Sequence, residues 1–362
     1  MPSFQSLPAE VLLMVAQILG STYLRARTDR VLLCKAWYSI TQSVAWEVVD
    51  LSIANFEKFL HAPITIHSFI RSRVKELSIS GPYDDITSSP CQNGETDAEE
   101  TWRVAKLRNL LQARNKTLCT SLACFSTNTL PNLHRIHSFS LGITSRSNIY
   151  TEVDNTWTST IRNLITSLPR TITSLTIDKL GPISRFSTGA RTPHAACKVV
   201  LLKDALPSLK HLRLRIHCIC PSLFAIKTCG TNSNLETLVI GLDSYSSQLN
   251  IVHHAYRCTQ PQQPSQVLYD DMVEAGKKAL EAGCFPGMKT ARILKYDVQS
   301  LALYSFDMVN GRNIEVPDGV GWDDIDWDRS RVEYDLVLRS GGSNTVLVSG
   351  EQSEDQELVS YT

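Results

Sequence analysis

The sequence predicts an α/β protein in which a short N-terminal helical module precedes an irregular α/β solenoid. Three observations predict it. Residues 6–52 carry a helix-period apolar pattern that sets them apart from everything after. From residue 46 to residue 296 one local pattern keeps returning: a helical stretch, a leucine-proline or similar turn, then a short apolar strand. Composition then shifts, because residues 315–362 hold twelve Asp/Glu against three Arg, a net of −9 that leaves +9 on residues 1–314. The expected divisions are therefore 1–50, 51–314 and 315–362.

Leu7-Pro8 opens the first helix, and Pro8 suits an initial helical position where no backbone N–H is needed. Glu10 lies in the first turn, where the helix dipole favours a negative charge. Val11, Leu12, Val15, Ile18 and Leu19 make a one-sided apolar stripe, and Gly20 follows as a helix stop. A second apolar cluster, Val31-Leu32-Leu33-Cys34, leads into Trp37-Tyr38, and Trp46 precedes the strand-like Val48-Val49-Asp50-Leu51.

The order LPxEVL, IL, LLCKxW, a further W and VDLS resembles the F-box, the three-helix module by which ubiquitin-ligase receptors dock onto the Skp adaptor. The resemblance covers about 45 of 362 residues and is a pattern of residue types, less specific than a metal-ligand spacing. The segment GSTYLRARTDRV, where the middle helix would fall, is a few residues longer than the usual pattern. The resemblance implies a non-catalytic substrate receptor bound to a Skp adaptor and, through it, to a cullin. Leu7, Pro8, Val11, Leu12, Ile18, Cys34 and Trp37 would then contact the adaptor or shape the surface that does, with Trp46 at the joint to the following domain. The alternative is an interaction scaffold whose N-terminal helices merely cap the solenoid and bind no ligase.

The repeated strands are expected in WEVVDLS (46–52), VKELSIS (74–80), LPNLHRIHSFSLGI (130–143), LPRTITSLTIDKL (168–180), LPSLKHLRLRI (206–216), NSNLETLVIGLD (232–243) and FPGMKTARILKY (285–296). Leu209, Leu212, Leu214 and Ile216 show the alternation of a half-buried strand in the clearest copy. Helices are expected after the capping box Thr96-Asp97-Ala98-Glu99, along the stripe Trp157-Ile161-Leu164-Ile165-Leu168 that stops at Pro169, and over 195–205 and 267–282. An L-x-x-L-x-L strand with a returning helix is the logic of a leucine-rich-repeat-like solenoid. The repeat is degenerate: Leu175 to Leu212 is 37 residues, Leu212 to Leu238 is 26 and Leu238 to Ala291 is 53. Loop insertions at 81–95, 181–194 and 258–266 carry the extra length, and a compact α/β domain with strands out of solenoid order is the alternative. At the C-terminal end a hairpin is expected around Gly341-Gly342, followed by a disordered tail.

Lys+Arg and Asp+Glu are both 36, so nothing in the overall charge points to nucleic acid or an anionic membrane. No apolar run reaches the length of a membrane span. MPSFQSLPAE lacks the basic start and apolar core of a signal peptide, so a cytoplasmic or nuclear chain is expected. The ten cysteines are then free thiols, and the Asn115-Lys116-Thr117 sequon meets no glycosyltransferase.

Familiar catalytic patterns are missing. G-x-S-x-G, H-E-x-x-H and G-x-G-x-x-G are absent, and Gly283 to Thr290 fails as a phosphate loop because Met288 separates Gly287 from Lys289. His211, His217, Cys218, Cys220 and Cys229 form a metal-like cluster without the paired Cys spacing of structural zinc sites. Cys218 and Cys220 share parity with Leu212 and Leu214, which assigns them to the strand's buried face, so no metal and no cofactor is expected. The acidic-aromatic run Trp322–Asp328 reads as a solvated loop with two anchored tryptophans, or as a dock for a basic partner. Lys210, Arg213 and Arg215 are the possible substrate surface, the two arginines on the solvent-facing parity of a strand; the patch reads as a plain solvated strand face, or as one that reads an acidic substrate.

Overall fold

A computed structural model describes residues 7–62, 64–82, 97–144, 155–179, 208–216, 219–224, 233–246, 251–254, 265–297, 302–317 and Trp322. The chain divides into two compact units, Met1–Val316 and Pro317–Thr362, and every described helix and strand lies in the first.

Its centre is a nine-stranded sheet built from β1 (Val48–Ser52), β2 (Glu76–Pro82), β3 (Ser138–Thr144), β4 (Ser174–Lys179), β5 (His211–Ile216), β6 (Thr237–Gly241), β9 (Thr290–Asp297), β10 (Ala302–Asp307) and β11 (Arg312–Glu315). These strands lie side by side in sequence order, and β1 through β6 and then β9 are all parallel. Parallel neighbours require a returning segment between them. α3 (Ile53–Leu60) and α4 (Ile64–Arg73) return β1 to β2, α5 (Asp97–Asn128) returns β2 to β3, α6 (Asn155–Thr166) returns β3 to β4, and α7 (Ser265–Glu281) precedes β9. β9, β10 and β11 close the sheet as an antiparallel meander, and β7 (Asp243–Ser246) with β8 (Ile251–His254) forms a separate hairpin.

Period-two alternation places one residue set under the helices. Leu77, Phe139, Leu175, Leu212, Leu238 and Ala291 stand in register across six strands, as do Ile79, Leu141, Ile177, Leu214, Ile240 and Ile293. All twelve are buried. Ile161, Leu164 and Ile165 of α6 and Leu268 and Met272 of α7 belong to the same core, so the expected α6 stripe is the face that packs.

The spacing between strands is irregular, but the way each strand begins is not. The carbonyl of Glu47 accepts from the backbone N–H groups of both Lys75 and Glu76. Lys75 does the same for His137 and Ser138, His137 for Thr173 and Ser174, Thr173 for Lys210 and His211, Lys210 for Glu236 and Thr237, and Glu236 for Lys289 and Thr290, at 2.7–3.1 Å throughout. A buried apolar residue precedes the carbonyl in most copies: Val74, Ile136, Ile172, Leu209 and Leu235. The repeat is therefore kept in the backbone hydrogen bonds that start each strand and varies in its returns.

Several details differ from the sequence-based expectations. Gly81 and Pro82, assigned to a loop, close β2, while Ser265 and Gln266 open α7. The β7–β8 hairpin and the β10–β11 pair were not anticipated, although Asn310-Gly311, with Gly311 at φ 64°, is a strong hairpin signal. The helix expected at 195–205, the 181–194 insertion, the Gly341-Gly342 hairpin and the acidic-aromatic run apart from Trp322 lie outside the described residues.

Gly20 interrupts α1 (Ala9–Ala26) with φ 76° and ψ 162°, after which the helix resumes in a new direction. That backbone region is essentially restricted to glycine. A Cβ there would meet nothing within 4 Å, so the penalty for a larger residue is backbone strain alone. Gly20→Ala is expected to destabilise the N-terminal helices by about 1–3 kcal/mol, read by urea denaturation, with no change in the sheet's own transition.

Candidate partner-docking surface

The N-terminal helices own a small core separate from that of the sheet. Leu12, Ala16, Leu24, Trp37, Val44 and Ala45 form it, with Leu7, Val15, Val31, Cys34 and Ile40 packed at its edge. Trp46 packs against both cores and so joins the module to the sheet. An Arg25–Asp50 ion pair at 3.7 Å adds a second tie to β1.

Trp37 organises the module. Its indole N–H donates to the Arg30 carbonyl at 2.6 Å, and its backbone N–H donates to Cys34 Sγ at 3.4 Å, which caps α2 (Lys35–Ala45). Thr41 Oγ1 donates to the Trp37 carbonyl at 2.7 Å. The Arg30 guanidinium lies 3.9 Å from the centre of the Tyr23 ring and donates to the Tyr23 carbonyl at 2.9 Å. These contacts hold the longer segment between Gly20 and Cys34, which contains the resumed helix and a short 3-10 turn at Thr28–Arg30.

The module also shows a second apolar set that its own core leaves uncovered. Val11, Met14 and Ile18 recur at i, i+3 and i+7 on one side of α1, with Ile18 82% and Met14 60% exposed. Leu32 and Leu33 are exposed just before the Cys34 cap, and Tyr23 and Tyr38 are exposed as well. Exposed apolar side chains scattered singly are ordinary, but a helix face of them marks an interaction site.

The seven residues nominated from sequence fall into three groups. Pro8, Val11 and Ile18 are exposed and able to touch a partner, and Leu7 and Cys34 are half-buried. Leu12 and Trp37 are 1% and 2% exposed, so they shape the surface from beneath and cannot form it. Sequence reasoning missed Met14 and Leu33, though the i, i+3, i+7 spacing through Met14 was there to be read.

The second candidate surface is the polar face of the sheet. Arg213 is half-buried on β5, with Thr176 on β4 and Val239 on β6 as its register partners. Arg215 is engaged by Asp178 in a two-point pair at 2.8 and 2.5 Å, and Lys210 pairs with Glu236 at 3.6 Å. Neither is a free cation for a substrate. Burial, then the positive charge of Arg213, holds the His211 imidazole below its ordinary pKa, so it is neutral near pH 7.

Of the metal-like cluster, His211 lies on β5 and Cys220 is buried, while His217, Cys218 and Cys229 fall outside the described residues. Among the described residues no group of three or more His, Cys, Asp or Glu is placed to hold a metal ion. Asn115 of the sequon is buried, and its side-chain oxygen accepts from the Trp157 indole, which keeps a glycosyltransferase from reaching it in the folded chain. No helix among the described residues is long and apolar enough to cross a membrane. Comparison with protein-family models, with curated proteins and with solved structures finds no match to this chain.

Proposed function

We propose that the protein is the substrate receptor of a Skp–cullin–F-box ubiquitin ligase. The observation that carries the proposal is the uncovered Val11–Met14–Ile18 face on a helical module with a core of its own. An apolar helix face of this kind suits a helix-packing interface with an adaptor. The order of residues from Leu7 to Ser52 that resembles the F-box names which adaptor. The sequential parallel sheet, with its L-x-x-L-x-L strands and returning helices, supports a leucine-rich-repeat-like solenoid as the substrate-holding domain. Catalysis would then be by proximity: the receptor holds a target protein while a conjugating enzyme brought by the cullin supplies the ubiquitin thioester.

Co-expression with a Skp adaptor and affinity capture tests the proposal. Ile18→Glu combined with Leu33→Glu places charges on two exposed apolar positions and should leave the helical circular dichroism unchanged. Capture is expected to weaken by about thirtyfold or more, the scale of a lost interface hot spot. Retained capture by the double variant, or none by folded wild type, would sink the receptor assignment.

A further inference from the structure

Arg213 stands at the end of a hydroxyl row. Ser78, Ser140, Thr176 and Arg213 are in register across β2, β3, β4 and β5, with Asp50 of β1 at the far end from Arg213, and Glu76, Ser138, Ser174 and His211 form a second row beside it. The first row spans about 14 Å at the usual strand spacing. Beyond Arg213 the row passes to the buried Val239 of β6 and the buried Arg292 of β9, so its accessible polar part ends at Arg213.

The acids near Arg213 are already committed. Asp178 is held by Arg215, and Glu236 is shared by Lys210 and Lys289, which hold its carboxyl below the ordinary range. Lys210, Arg213, Arg215 and Lys289 against Asp178 and Glu236 leave two positive charges in excess. Arg213 Nε and His211 Nδ1 are buried atoms without a hydrogen-bond partner. A buried donor left unpaired is costly, and it gains the full benefit when a ligand pairs it. The His211 pKa is lowered first by burial and then by Arg213, with Lys210 and Lys289 adding to this against Glu236.

We propose that this face binds an acidic segment of a partner polypeptide, with the Arg213 guanidinium taking a carboxylate and the Ser78–Ser140–Thr176 hydroxyls contacting the adjoining chain. Length and chemistry favour a polypeptide. A row of neutral hydroxyls ending in one unengaged guanidinium suits a carboxylate flanked by peptide groups. Single-stranded nucleic acid would need a basic groove and aromatic platforms for its bases, and the two rows contain neither. Named as a ubiquitination substrate, the acidic segment rests on the receptor assignment; as a binding activity it does not.

The test uses the full chain and fluorescence anisotropy at low salt with labelled poly-glutamate, poly-glutamine of equal length and a single-stranded oligonucleotide. Wild type is expected to bind poly-glutamate and not poly-glutamine, and to lose binding as salt rises. Arg213→Gln should weaken it by about tenfold or more, the scale of a charge-assisted hydrogen bond. Thr176→Glu should do likewise, by supplying Arg213 with a carboxylate in register. Circular dichroism confirms that both variants fold. Undiminished binding by either folded variant, an oligonucleotide bound with the same Arg213 dependence, or no binding of poly-glutamate by wild type would each overturn the site. Adaptor capture from the same preparations separates the two assignments, since loss of one activity with retention of the other rejects only its own.

Discussion

Trp37→Ala is expected to melt the N-terminal module while the sheet stays folded. The side chain is 2% exposed at the centre of a core whose buried members among the described residues are otherwise Leu12, Ala16, Leu24, Val44 and Ala45. Truncating a buried tryptophan costs about 3–5 kcal/mol in transfer and cavity terms. The Arg30 carbonyl also loses the indole N–H that it accepts. A core this small rarely supplies more than about 3–5 kcal/mol, so the loss is comparable to all the stability the module has. Limited proteolysis should open the chain between residues 9 and 45 and leave the rest protected. Adaptor capture should vanish with the module. Loss of the sheet's protection as well would mean that these helices are a cap the sheet cannot do without, which is the scaffold alternative.

The module was legible because its signals are local. Pro8 and Glu10 act through position at the start of one helix, so spacing alone located them, whereas Gly20, expected to stop that helix, kinks it and the helix runs on to Ala26. What spacing did not separate was which apolar stripe faces inward. Leu12 and Ile18 belong to the same list of apolar residues in sequence, yet one is fully buried and the other is the most exposed large apolar residue in the described chain. Both kinds of stripe are possible on one helix, and only the position of Trp37 and Val44 on the partner helix decides between them.

The sheet was legible strand by strand because alternation is local too, and all seven expected strands are parallel strands of the sheet in sequence order. Their regularity at the Glu47, Lys75, His137, Thr173, Lys210 and Glu236 carbonyls was not legible, since it resides in backbone groups that any residue type carries. The pairing state of the basic residues was not legible for a different reason. Alternation correctly put Arg215 on the polar face, but its pairing with Asp178 comes from a strand 37 positions earlier, a distance no local pattern spans. Arg213, one register step away, has Thr176 and Val239 for neighbours and remains available.

Phe125→Ala is expected to be the most damaging single change in the sheet domain. The side chain is fully buried near the end of α5, where its ring meets Phe56 of α3 edge-on at 5.5 Å and stacks with Phe139 of β3 at 6.3 Å. One side chain thus ties two returning helices to the sheet. Truncation should cost about 3–5 kcal/mol, and the two aromatic pairs place it toward the upper end of that range. Domains of this size lose roughly 2–4 °C of Tm per kcal/mol, so a fall on the order of 10 °C is expected by thermal circular dichroism. Phe125→Leu, which keeps most of the apolar volume, should lose much less. Phe125 belongs to the sheet's core and not to the module's, so Phe125→Ala below its lowered Tm should still capture the adaptor. Capture lost while the sheet remains folded would show that the module's surface depends on the sheet through Trp46, the one side chain among the described residues that the two cores share. Together with Trp37→Ala, this variant therefore reports whether the two cores fold as separate cooperative units, which a detachable docking module requires and a cap does not.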